Sequence, residues 1–108
     1  MKVDEFNKLK EEFLKAEGDL LDSKRMEYAG LDDVLKNFKE QAEFAQVDAK
    51  DIALVFLFKH MQGIREIVTK GTVNWSWTTE DGTEGTKQRL SDARNYLLLL
   101  AALIEEEQ

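Results

Sequence analysis

An all-α fold, an antiparallel four-helix bundle with a short aromatic extended loop or irregular hairpin before the last helix, is what this sequence predicts. Three observations carry the expectation. Apolar residues recur every three to four positions over most of the chain, the spacing of one face of a helix. No proline interrupts the 108 residues, and Gly30 and Gly71 fall where periodic stretches end. Only residues 72 to 83 change period. Helices joined by short connections pack antiparallel by default.

The first helix is expected over residues 3 to 29, where Phe6, Leu9, Phe13, Ala16 and Leu20 are spaced three and four apart, the seam of a helix lying along a neighbour. Gly18 weakens it by about 1 kcal/mol relative to alanine, which allows a break between Gly18 and Ser23, and Gly30 is placed to end it in a left-handed cap. A second helix restarts at Leu31-Asp32-Asp33, with two carboxylates at the positive end of its dipole, and ends near Gln46. Its apolar face is Leu31, Val34, Leu35, Phe38, Ala42 and Ala45.

Asp48 is an N-cap candidate for a third helix that Gly71 ends. This helix is apolar nearly all round in its first half, from Ile52 to Phe58, and is expected to be the most buried. Residues 72 to 83 then alternate, with Val73, Trp75 and Trp77 on one side and Asp81-Gly82 as a turn signal. The fourth helix is expected to start between Thr83 and Thr86 and to fray near Glu106, where glutamates meet the negative end of the dipole.

The chain is read as one domain, residues 1–108. Its net charge of −7 disfavours adhesion to duplex nucleic acid or to an anionic membrane surface. The absence of cysteine excludes disulfides and thiolate metal sites, and the N-terminus lacks the apolar core of a signal peptide, so the expected location is cytoplasmic. The longest apolar run, Tyr96 to Ile104, falls short of the roughly 20 residues that span a bilayer. The first helix and the aromatic loop carry more apolar surface than a small bundle buries, which predicts a homo-oligomer.

The oddest feature lies on the fourth helix. At about 100° per residue, Asp92 projects from the same side as Tyr96, Leu99 and Leu103, so a carboxylate sits inside an apolar stripe. An unpaired buried carboxylate is costly, and the expected partner is an arginine, a lysine, a histidine or a metal; Arg89, Lys59 and His60 are the counter-charge candidates. His60, the sole histidine, aligns with Ala53, Phe56, Ile64 and Ile67. Asp33 and Asn37 border the stripe of the second helix, and Gln88, Asp92 and Asn95 share one edge of the fourth. Two readings remain for this convergence: a polar network that sets helix register, or a pocket for a small polar ligand. No nucleophile system, zinc site or phosphate loop is present, and Glu40 with Glu43 reads as a solvated pair.

The order Arg25-x-Glu27-Tyr28-Ala29, Asp32-Asp33-x-x-x-Asn37-Phe38, Lys59-His60, then Glu84 and Arg89-x-x-Asp92-x-x-Asn95-Tyr96 resembles a pattern in small phage-encoded helical proteins. It is similar to the nucleotide-modification-associated helical domain, which in layout is distantly like the all-α nucleoside triphosphate pyrophosphohydrolases. The resemblance implies Glu27, Asp33, Glu84 and Asp92 as candidate Mg²⁺ ligands, Lys59 and Arg89 as phosphate contacts, and Tyr28 or a loop tryptophan as the base-stacking group. Gln88 stands where that pattern has a further carboxylate.

Two functional expectations follow. The first is a phage-type helical protein, acting in the host cytoplasm, that binds a nucleotide or nucleotide-like ligand through Tyr28, Asp33, Asn37, Lys59, His60, Arg89, Asp92 and Asn95. The second is an acidic protein-binding module that meets a host factor without ligand or catalysis.

Overall fold

The computed structural model describes the backbone of residues 1–28 and 33–108 and the side chains of residues 1–19 and 33–108. The chain is all-α, with helices α1 (Val3–Tyr28), α2 (Lys36–Ala45), α3 (Ala49–Lys70) and α4 (Thr86–Glu106). It divides into two compact units, residues 1–34 and residues 35–108.

In the first unit α1 is continuous through Gly18 to Ser23. No break forms there, because the cost of one glycine is spread over 26 residues of helix. Burial follows the predicted seam only in its middle: Phe13 is buried and Leu9 and Ala16 are half-buried, with Lys8, Glu11 and Leu14 exposed, but Phe6 on the same seam is exposed, and the Leu20 side chain lies outside the described residues. The Gly30 cap lies outside the described residues.

In the second unit α2 starts at Lys36 rather than at Leu31, and Asp33 precedes the helix instead of sitting in its first turn. The reason is Leu35. At the N-cap it is 2% exposed with non-helical backbone (φ −95°, ψ 4°), so the helix is launched from a side chain already fixed in the core. Its end is as expected: Gln46 is left-handed (φ 58°) and its N–H caps Ala42 and Glu43 carbonyls.

Asp48 caps α3 through its carboxylate, which accepts from the Lys50 N–H at 2.9 Å. Gly71 (φ 67°) closes the other end, its N–H directed to the Ile67 and Val68 carbonyls.

The core of this unit joins Leu35 and Phe38 of α2, Ala53 of α3 and Leu103 of α4, with Phe56, Tyr96, Leu99 and Leu100 packed against them. Three rings meet at its centre: Phe38 lies edge-on to Phe56 and to Tyr96, at 6.0 Å and 6.4 Å between centroids, while Phe56 and Tyr96 stack at 5.9 Å. Each such pair adds about 0.5–1.5 kcal/mol beyond burial. Lys50, at the start of α3, pairs with Glu107 just past the end of α4, and Gly63, further along α3, lies beside Arg89 in the first turn of α4. The two helices therefore run in opposite directions.

The expectation that α3 is the most buried helix fails. Ala53 and Ile64 are its buried residues, whereas Leu54, Val55, Phe58, Met61 and Val68 are each about half-exposed. A helix that is apolar all round needs neighbours on every side, and among the described residues of this unit α2 and α4 are the elements that pack against α3. No described helix is long and apolar enough to cross a membrane.

Candidate functional site

The most highly organised polar structure is the connection from α3 to α4, residues 72–85. It is an irregular hairpin with one isolated antiparallel bridge, Thr78 to Glu84. The Gly82 N–H donates to the Thr79 carbonyl at 3.0 Å and the Thr79 N–H to the Thr83 carbonyl at 2.8 Å, with Gly82 in the positive-φ turn position (φ 84°). Asp81 joins Thr79 and Thr83: its carboxylate accepts from both hydroxyls and from the Thr83 N–H. These bonds, the Thr79 hydroxyl first, hold its pKa below the ordinary carboxylate value.

The hairpin also supplies what the first turn of α4 lacks. The leading N–H groups of a helix have no partner within it; here Thr86 donates to the Asn74 carbonyl at 2.8 Å and Lys87 to the Ser76 carbonyl at 3.1 Å. Buried Thr86 returns the favour, its hydroxyl accepting from the Asn74 N–H at 3.0 Å. Gly85, the N-cap, donates to the Trp77 carbonyl at 2.8 Å. A Cβ on Gly85 would stand 2.0 Å from the Ser76 carbonyl oxygen, so this close approach of two backbones requires glycine.

On that frame Trp75 is 52% exposed and Lys87 holds its ammonium 5.2 Å from the ring centroid, while Trp77 is half-buried. The hairpin also carries an open polar depression of about 570 Å³, lined by Asn74, Ser76, Thr78, Thr79, Glu80, Asp81 and Thr83. Sequence reasoning missed this depression, because it is shaped by the turn of the hairpin; the threonines at 78, 79 and 83 around Asp81 are its one visible trace.

The polar residues of the fourth helix are arranged otherwise than expected. Asp92 is half-buried, and its carboxylate accepts from Gln88 Nε2 at 2.9 Å, one turn back on the same helix. A neutral amide thus stands where a counter-charge was expected, because the i, i+4 neighbour reaches the carboxylate without crossing to another helix. His60 turns to Tyr96 instead, the two rings 4.8 Å apart and tilted by 38°. Lys59 is exposed with its ammonium 5.8 Å from the Phe56 ring centroid.

Arg89 is exposed and extends along Gly63. Asn95 is half-buried on the edge of Gln88 and Asp92, and Asn37 is exposed on α2. Asp33 belongs to the other unit, and the side chains of Glu27 and Tyr28 lie outside the described residues. Glu84 is exposed at the hairpin bridge. Among the described residues no three histidine, aspartate or glutamate side chains gather as a metal site would require.

Comparison of the chain with protein-family models, with curated proteins and with solved structures finds no match.

Proposed function

We propose that this protein is an acidic, oligomeric helical module that binds another protein, a host factor if the chain is phage-encoded, through the hairpin between α3 and α4. The observation that carries the reading is a half-exposed tryptophan on a backbone pinned at both ends. Trp75 sits between Asn74 and Ser76, whose carbonyls take the first N–H groups of α4. An aromatic anchor held in place before binding loses little entropy when it docks, which is how a few residues come to dominate an interface. Glu80, Asp81 and Glu84 belong to the same hairpin and the chain carries −7, so the fitting partner presents an apolar pocket with a basic rim. Capture from bacterial lysate that weakens with added salt, and that is lost with Trp75→Ala at unchanged melting temperature, tests this; equal capture by the variant overturns it.

A second reading rests on α4. Arg89 beside Gly63 and the Gln88–Asp92 pair lie in the first half of α4, and His60 meets Tyr96 near its middle, residue types that suit a nucleotide-like anion with a planar base, with or without Mg²⁺. Titrating nucleotides while following the melting temperature tests it, and no shift at millimolar ligand, with and without Mg²⁺, rejects it.

A further inference from the structure

Asp81–Gly82 is the single place in the sequence where an aspartate or asparagine is followed by glycine. Such a pair reacts with itself, because a glycine puts no Cβ in the way of its own amide nitrogen. The nitrogen of Gly82 bonds to Asp81 Cγ, the hydroxyl of the carboxyl group leaves and takes the amide proton with it as water, and a five-membered imide results. Water then adds to one of the two imide carbonyls. Opening at the side-chain carbonyl restores aspartate; opening at the main-chain carbonyl leaves an isoaspartyl link, in which the chain runs through the side chain and is one methylene longer. No other reactant is needed.

Both residues are exposed, yet both reacting groups are tied down. The Gly82 N–H donates to the Thr79 carbonyl at 3.0 Å. One oxygen of the Asp81 carboxylate accepts from the Thr83 N–H at 3.2 Å, from the Thr83 hydroxyl at 2.8 Å and from the Thr79 hydroxyl. Thr79 therefore holds the nitrogen through its carbonyl and the carboxylate through its hydroxyl, while its own N–H closes the turn on the Thr83 carbonyl at 2.8 Å. For the nitrogen to reach Cγ it must leave Thr79, and the carboxylate must turn away from the threonines. The same bonds favour the ionised carboxyl, which has no hydroxyl to lose.

We propose that Asp81–Gly82 is a self-modification site latched by Thr79 and Thr83, converted to an isoaspartyl link when the hairpin opens. The closed hairpin is inert and the open one reacts, so the rate follows the population of the open form. The added methylene falls inside the loop closed by the Thr78–Glu84 bridge, next to the Trp77–Gly85 bond that leads into α4. None of this chemistry depends on what docks at Trp75.

The test follows isoaspartate in the full chain during incubation in warm, neutral buffer. A methyltransferase specific for isoaspartyl carboxyls transfers a labelled methyl group, and the label is mapped to the peptide that contains Asp81. In guanidinium chloride, where the hairpin is open, label should accumulate at Asp81; in the folded chain it should accumulate at least about tenfold more slowly. Thr79→Val removes a hydroxyl from Asp81 and should raise the folded rate about two- to tenfold, as one hydrogen bond fewer in the latch implies, whereas Thr79→Ser should match wild type. Helical circular dichroism should be the same in all three chains, because the latch lies outside the helices. If Thr79→Val lowers it, Thr83→Val, which also removes a hydroxyl from Asp81 and leaves Thr79 in place, carries the comparison with the same expected direction. Equal rates in the folded and unfolded chain, no acceleration in the valine variant, or label on other aspartates in place of Asp81 overturns the proposal.

Discussion

The Ser76 carbonyl oxygen occupies a point 2.0 Å from where a Cβ of Gly85 would be, so the hairpin and the start of α4 share a contact that only glycine permits. Gly85→Ala should therefore force the two backbones apart and release the Thr86 and Lys87 N–H groups from the hairpin carbonyls. Several bonds at about 1 kcal/mol each are at stake, and the expected loss of stability is about 2–4 kcal/mol. Urea unfolding followed by tryptophan fluorescence measures it. Gly18→Ala, with open space at its Cβ position, should instead stabilise α1 by a few tenths to about 1 kcal/mol.

The hairpin should also respond to acid. The Asp81 carboxyl is held below its ordinary pKa by the hydroxyls of Thr79 and Thr83. A depressed folded-state pKa means that its contribution is complete above the unfolded value of about 3.9 and is lost as pH falls through the lower folded value. Fluorescence of Trp75 and Trp77 should stay constant from neutral pH down to that range and change below it. Asp81→Asn should remove this acid step while keeping most of the fold.

Asp92 is partnered by an uncharged amide, and the size of its mutational effect follows from that. Removing one member of a buried ion pair costs about 3–5 kcal/mol; loss of the Gln88 hydrogen bond in a half-buried setting costs about 0.5–1.5 kcal/mol. Gln88→Ala and Asp92→Ala should both fall in the lower range, and the double variant should be less destabilised than the sum of the two. Thermal or urea unfolding of the three variants gives the answer.

Tyr96 touches Phe38, Phe56 and His60 at once. Tyr96→Ala should cost about 3–5 kcal/mol, as loss of a packed aromatic does. Tyr96→Phe keeps the rings in contact and should cost under about 1.5 kcal/mol. Differential scanning calorimetry separates the two.

The helices were legible because their signals are local. Asp48, Gly71 and the 3–4 spacing of Leu9 to Ala16 act within one turn, and α3, α4 and the middle of the α1 seam follow them, while Phe6 stays exposed. The start of α2 was not, because Leu35 is placed by Ala53 and Leu103 on other helices. The same distinction explains the site. Helical periodicity set Asp92 inside the apolar stripe, and it is half-buried, but its choice of Gln88 over Arg89, Lys59 or His60 depends on rotamers and on where His60 finds Tyr96. The hairpin's role as the cap of α4 was hidden for a related reason: its donors and acceptors are backbone groups that every residue carries.

A pinned Trp75 is proposed as the anchor of a protein interface. Its most direct measurement compares wild type with Trp75→Ala, at matched melting temperature, in salt-graded capture from bacterial lysate. Wild type should hold a protein that salt releases progressively and that is missing from the variant. Capture of the same proteins in the same amounts by both would contradict it.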